Sequence, residues 1–224
     1  RKRNNIMNFS FGIITSNMVD TKVIESIENQ NIDNYEIIIV GGNSKFGNNI
    51  KHIPFDEKKG KFTTKKNIIT KNAKYDNIVY MHDYYYLNDN WYEGFKKFGE
   101  DWDICMNVVL NQDGSRFRDW VICYDRNLES RDFSLNEVKQ GKSTRYLPPY
   151  DYNKTENMYV SGGYWLAKKY VMEEEPLDES LGWGEAEDYE WSERVLWNKK
   201  YRYKMNQYSS VQTLKDKRLS AEIL

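Results

Sequence analysis

The segment Tyr35–Val40 reads YEIIIV, a run of branched apolar residues that stops at once in Gly41-Gly42-Asn43-Ser44. A run without polar alternation suits a strand covered on both faces, the usual state of a strand inside a parallel sheet. A second such run, Phe9–Thr15 (FSFGIIT), precedes it. Between the two, Val23, Ile24 and Ile27 follow Asp20 at helical spacing up to about Gln30. Strand, helix and strand in that order close as a right-handed βαβ unit. The glycine turn then falls at the carboxyl end of the second strand, the edge where open α/β sheets gather their ligands.

The alternation continues along the chain. A short strand is expected near His52–Phe55, then a helix from Thr63 or Thr64 through Ile68 and Ile69 to Ala73. Asn77–Met81 reads as a buried strand ending in His82-Asp83, and Asp89 is placed to cap a helix carrying Trp91, Phe95 and Phe98. Asp103–Leu110 and Trp120–Tyr124 have strand character. Asp125–Asn157 is polar and holds YLPPYDY, an excursion over one rim of the sheet rather than a second domain. Val160–Leu166 resumes a strand, Lys168–Glu174 is a short helix, a longer helix runs from about Glu185 to Asn198, and Tyr201–Asn206 is a last strand. The fold class expected is α/β: a Rossmann-like, mostly parallel central sheet flanked by helices. One domain spans residues 7–224, with 1–6 a trimmed or added leader ahead of Met7.

Composition narrows the functions open to such a chain. A charged content of 30% and a hydrophobic content of 39% would suit disorder, but rings make up 15% of the 224 residues. Disordered segments are poor in aromatics, so a folded, ring-rich protein is expected. Thirty-three basic residues against 34 acidic ones leave a net charge of −1, so no global field holds nucleic acid or an anionic membrane. No apolar run approaches the ~18 residues of a transmembrane span. Cys105 and Cys123 are the only cysteines and sit in no metal-binding spacing, so neither a disulfide framework nor a zinc site is expected. A cytoplasmic location follows as the default, with peripheral attachment to a membrane left open.

Three clusters could carry chemistry, and each has a plainer reading. Asp83, at the end of a central strand, could hold a divalent cation against a diphosphate, or simply cap the turn before Tyr84-Tyr85-Tyr86. His82 alone reads as a packed core or turn histidine. Trp183-Gly184-Glu185-Ala186-Glu187-Asp188-Tyr189-Glu190 brings four carboxylates to the start of a helix. Acids are common there because they complement the helix dipole. The indole and glycine just before them suit a stacked sugar ring, and one carboxylate could deprotonate a hydroxyl. Glu187 and Asp188, being adjacent, are expected to point in different directions. Ser161-Gly162-Gly163-Tyr164-Trp165 marks a bulge or a close approach of a ligand to the backbone. Lys65 and Lys66 could meet phosphate, although solvated lysines on a helix face are the commoner case.

In this order the pieces resemble the GT-A nucleotide-sugar glycosyltransferases, particularly the family 2-like enzymes and their galactosyl- and N-acetylgalactosaminyl-transferase relatives. The likeness runs from about Phe9 to Tyr203. FGIITSN and YEIIIVGGNS resemble the family's nucleotide-binding start, with Gly41-Gly42-Asn43-Ser44 standing where Asp-Asp-Gly-Ser is usual. Gly60 through Lys65-Lys66-Asn67 resembles the segment beside the donor. MHDYYYLNDNW resembles the metal-motif strand end, with Asp83 on the metal-binding acid and His82 on the acid before it. VSGGYWLAKK and LDESLGWGEAEDYEWSER resemble the family's glycine pair and its Trp-Gly and Glu-Asp-x-Glu-x-x-x-Arg motifs, with Glu187, Asp188, Glu190 and Arg194 in register.

The resemblance implies transfer of a hexose from a UDP-sugar to a hydroxyl of a glycan or another acceptor, with manganese or magnesium on Asp83. It implies Asp188 as general base of an inverting reaction, with Glu187 binding the acceptor or stabilising the helix turn. Thr15, Gly41, Gly42, Asn43, Lys66, Asn67, His82 and Asp83 would bind the donor. Gly163, Tyr164, Trp165, Trp183 and Gly184 would bind the acceptor. The chain could be one module of a longer enzyme. A rival reading is a non-catalytic module that binds nucleotide sugar or glycan on the same fold. A nucleotidyltransferase ranks last, because Thr15–Asp20 lacks the glycine-rich basic loop such enzymes carry after the first strand.

Overall fold

The computed structural model describes residues 7–43, 50–56, 61–124, 144–155, 158–197, 200–216 and 222–223. Ser44, Gly60 and residues 125–143, on which some sequence expectations fall, lie outside the described residues.

The βαβ unit forms as its pattern dictates. β1 (Phe9–Ile14) and β2 (Tyr35–Val40) pair in parallel, and α1 (Thr21–Glu28) joins them. The Asp20 side chain accepts from the Lys22 backbone N–H and starts that helix. β3 (Ile50–Ile53) pairs with β2, and β4 (Asn77–His82) pairs with the other side of β1, both parallel. α2 (Phe62–Asn72) crosses from β3 to β4. It lies so close to the sheet that a Cβ on Gly12 would stand 2.3 Å from Ile69 Cγ2, which is why β1 carries glycine there.

Beyond β4 the sheet turns mixed. β10 (Tyr164–Lys168) runs antiparallel to both β4 and β6 (Ile104–Leu110). β11 (Tyr203–Thr213) is parallel to β6, with a bulge between Asn206 and Ser210, and β5 (Tyr85–Leu87) closes the edge antiparallel to it. The order is β3-β2-β1-β4-β10-β6-β11-β5, so four of the seven neighbouring pairs are parallel.

The two faces of this sheet bury separate cores. Phe9, Phe11, Ile13, Ile37 and Ile39 pack with Val23 and Ile27 of α1 and with Trp91, Tyr92 and Phe95 of α3 (Trp91–Phe98). The alternate residues Ile14, Ile38 and Val40 face Ile69 of α2, Val171 of α4 (Lys169–Glu174) and Trp191 of α5 (Glu187–Trp197). Helices therefore cover both sides of the YEIIIV strand, as its unbroken apolar run requires. The cap of α3 is Asn90 rather than Asp89, and it makes no side-chain capping bond. Packing of Trp91 and Phe95 holds that helix instead.

The polar stretch after β7 (Val121–Tyr124) does more than skirt the rim. β7, β8 (Thr144–Leu147), β9 (Met158–Tyr159) and β12 (Glu222–Ile223) form a second sheet in the order β12-β8-β7-β9. Ile122, Tyr146 and Met158 point from it into the main core, while Val121, Cys123, Leu147 and Tyr159 pack with Tyr189 of α5. No helix among the described residues is long and apolar enough to cross a membrane.

Candidate functional site

Three parallel strands end level with one another, because Ile14 registers with both Val40 and His82. The residues just beyond those ends form one wall of the site. The Thr15 hydroxyl donates to Asp83 Oδ2 at 2.6 Å and accepts from the Asn17 N–H at 3.0 Å. Gly41 and Gly42 have φ of +93° and +67°, a region that disfavours side chains. A Cβ on Gly42 would also stand 2.0 Å from the Asn17 carbonyl oxygen, so glycine lets the loops after β1 and β2 touch. Asn43 is exposed beside them. The buried Lys65 ammonium donates to the Thr15 carbonyl at 2.6 Å and holds this edge from beneath.

The second wall is the turn between β9 and β10, which lies beside β4 because the His82 N–H donates to the Gly163 carbonyl at 3.0 Å. The Gly162 N–H donates to Asp188 Oδ2 at 3.0 Å, and the Gly162 carbonyl accepts from Lys66 Nζ at 2.7 Å. A Cβ on Gly162 would stand 3.1 Å from Asp188 Oδ2 and 3.2 Å from Glu187 Oε1. The two carboxylates thus converge on one glycine, contrary to the divergence expected of adjacent residues. Ser192, one turn into α5, fixes the helix by donating to the Asp188 carbonyl while accepting from the Val160 N–H. Ala186, just before the helix, has φ of +59°, a strained conformation for alanine of the kind that collects at functional sites.

Charge follows from this packing. Burial raises the Glu187 carboxyl above its ordinary range, the Asp188 charge raises it further, and Lys66 opposes both. Burial lowers Lys66, whose ammonium is in turn favoured by Glu187 and Asp188. A proton acceptor and a neighbour that resists ionisation thus share one place, the separation of roles that acid–base chemistry uses.

A cavity of about 450 Å³ opens at the second wall, lined by Glu187, Asp188, Gly162, Gly163, His82 and Tyr84, and by Arg118, Arg145 and Tyr159 from the second sheet and its approach; Thr15, Gly41, Gly42, Asn43 and Asp83 do not line it. Trp183 and Gly184 form its lip, where Trp183 is 77% exposed. A large ring so exposed beside a cavity suits a ligand's apolar face.

Several expected contacts fall elsewhere. Tyr164 and Trp165 are buried on opposite faces of β10, since successive side chains of a strand alternate, and neither can meet an acceptor. The Tyr164 hydroxyl accepts from Trp91 Nε1 and donates to Asn107, while Trp165 stacks on Tyr80 at 4.5 Å. Asn67 is no donor ligand either. Its amide clamps Leu177, accepting from the N–H at 3.1 Å and donating to the carbonyl at 2.9 Å. Lys66 is wholly enclosed rather than solvated. Glu190 and Arg194 pair with each other at 2.8 Å, and Arg194 also binds Glu175, a brace for α5. Trp191 is core and donates to the Glu175 carbonyl.

Arg118, Arg145 and Tyr159 are cavity residues that sequence patterning misses. Arg145 and Tyr159 take their direction from the register of a small sheet, and no local signal gives that register.

The residues present do not by themselves make a resident metal site. No group of three or more His, Cys, Asp or Glu comes together among the described residues. One oxygen of Asp83 already accepts from Thr15, and His82 packs edge-on against the Phe62 and Tyr84 rings at 4.9 and 5.4 Å.

No family model and no curated protein matches the sequence. Solved structures match the fold. GalNAc-T7, solved with UDP, GalNAc and Mn2+, superposes with a TM-score of 0.63 at 14% identity, over 95% of this chain and 44% of that one. Residues 1–349 of S. aureus TarS give 0.56 at 15% identity, over 91% of this chain and 60% of that one. The TarS complex with UDP gives 0.56 at 14% identity, over 92% and 61%. The chain therefore spans about half the length of these proteins, and its fold is that of the GT-A glycosyltransferases.

Proposed function

We propose that the protein transfers a hexose from a UDP-sugar to a hydroxyl of a glycan or similar acceptor, with inversion at the anomeric carbon. The convergence of Asp188, Glu187 and Gly162 at a cavity beside the strand-end edge is the observation that carries this reading, on a fold whose relatives were solved with UDP.

Thr15, Gly41, Gly42 and Asn43 would receive the nucleoside, because ligands of open α/β sheets gather at the carboxyl ends of the strands. Asp83 would take a ribose hydroxyl. Trp183 would offer its ring face to a sugar across the cavity mouth, with Gly163 and Gly184 beside it.

In the reaction the acceptor oxygen attacks the anomeric carbon as the bond from that carbon to the diphosphate oxygen breaks. Asp188 accepts the acceptor's hydroxyl proton. Its carboxylate is already oriented by the Gly162 and Tyr189 N–H groups at 3.0 and 2.9 Å, which is preorganisation of the base before substrate arrives. Glu187, beside it at the same glycine, would contact the acceptor and keep its attacking oxygen in line.

A panel of UDP-hexoses with glycan acceptors tests the reading, with UDP release and NMR of the product anomer as readouts. Release with an inverted anomer is expected. Glycan binding without release of UDP from any donor would favour the non-catalytic module instead.

A further inference from the structure

We propose that Arg118, Arg145 and Tyr159 form a phosphate-binding subsite on the second-sheet side of the cavity, and that it neutralises the donor's diphosphate without a cation held by the protein. This rests on the glycosyl-transfer reading above and deepens it.

The register of the small sheet brings the last two together. Arg145 stands opposite Cys123, and Tyr159 stands opposite Val121, two residues along the same strand. Residues two apart share a face, so Arg145 and Tyr159 project from the side of the sheet that packs on α5 and lines the cavity. Arg118 arrives from the approach to β7. Its neighbour Arg116 is committed elsewhere, to the buried Asp119 at 2.7 Å and to the Pro148 carbonyl at 2.9 Å. Arg118 lines the cavity, where its charge acts on the hydroxyls of Tyr84, Tyr85 and Tyr159. It therefore connects the strand end bearing Asp83 with the second-sheet side.

Tyr159 supplies the independent observation. It is 4% exposed, and its hydroxyl has no hydrogen-bond partner among the described residues. A buried polar group left unpaired is costly, so such a group beside a cavity points to a ligand. Burial raises this phenol far above its ordinary range, against the pull of Arg118 and Arg145, so it stays a proton donor. One hydroxyl donor within reach of two guanidinium charges matches the oxygens of a phosphate, which arginine binds in bidentate fashion. Asp188 also acts on this hydroxyl and opposes an anion, so the two guanidinium charges must outweigh it to hold a phosphate. At the place where carboxylates would hold a cation, this chain offers one aspartate and a histidine packed between rings.

Calorimetric titration of UDP, uridine and inorganic pyrophosphate, each in EDTA and with Mn2+, tests the subsite. The wild type should bind UDP with affinities that agree within about threefold between the two buffers. Arg118→Gln and Arg145→Gln should each weaken UDP and pyrophosphate by about tenfold or more and leave uridine unchanged, the scale of one lost charge-assisted contact. Arg145→Lys should fall between. Tyr159→Phe keeps the ring packing, so it should retain the melting temperature and still weaken UDP.

UDP affinity that vanishes in EDTA and returns with Mn2+ would overturn the proposal. So would arginine variants that bind UDP as the wild type does, including the case in which they raise only the KM of an acidic acceptor. Arginine-dependent binding of pyrophosphate with no preference for UDP would keep the subsite and remove the nucleotide-sugar reading. Tight UDP binding without arginine dependence would do the reverse.

Discussion

The backbone N–H of Gly162 donates to Asp188 Oδ2 across 3.0 Å, so the turn leaving β9 is fastened to the carboxylate that opens α5. The carbonyl of the same residue accepts from Lys66, and one glycine thereby links a buried cation to a pair of acids.

Gly162→Ala places a methyl against Asp188 Oδ2 and Glu187 Oε1, at 3.1 and 3.2 Å. The acids must move by a few tenths of an ångström, while the backbone itself accepts alanine. Steady-state kinetics should show kcat reduced by about tenfold or more with little change in UDP affinity, because misplacing a catalytic group costs rate rather than binding. Wild-type kcat in this variant would mean the acids do not act from this position.

Lys66→Met removes the ammonium that satisfies the Gly162 carbonyl and faces Glu187 and Asp188. The side chain is 1% exposed, and the methionine fills similar volume without charge. The carbonyl and both acids lose their buried counterpart, so urea unfolding should show a loss of about 2–4 kcal/mol. A stability equal to the wild type would mean that Lys66 does not compensate the acids.

Glu187 gives a pH signature. Its folded-state carboxyl titrates above the ordinary glutamate value of 4.5, burial being the first cause. The folded protein then holds more protons than the unfolded chain in the window just above that value, so stability falls as pH rises through it. Melting temperatures of Glu187→Gln against pH should lack this descent, and a wild-type slope in the variant would contradict it.

Two tryptophans should behave oppositely. Trp165 stacks on Tyr80 and packs against Trp191 in the core, so Trp165→Ala should cost about 3–5 kcal/mol. Trp183 is exposed at the cavity lip, so Trp183→Ala should leave stability within about 0.5 kcal/mol. It should raise a substrate KM by about three- to tenfold, the worth of one ring contact. Equal KM values with and without the indole would remove the stacking role.

The first half of the chain is legible in its sequence because its signals are local. Asp20 caps a helix, YEIIIV demands cover on both faces, and glycines stop the strand. The acid cluster on α5 is legible for the same reason. Tyr164 and Trp165 mislead because a glycine pair precedes them, whereas strand alternation sends one ring into each core. Lys66 and Asn67 mislead because polar residues on a helix normally face water, and here the helix is sunk between the sheet and the segment at Leu177. β5, β9 and β12 have two or three residues each, too few for any periodicity to register. With them is lost the small sheet that carries Arg145 and Tyr159.

The central claim is that Asp188 takes the acceptor's proton, and Asp188→Asn tests it most directly. The amide oxygen can still accept from the Gly162 N–H, so the corner should keep its shape. With a UDP-hexose that the wild type turns over, the variant should bind UDP unchanged and lose about 10²–10⁴-fold in kcat. Turnover at the wild-type rate in Asp188→Asn would contradict the account.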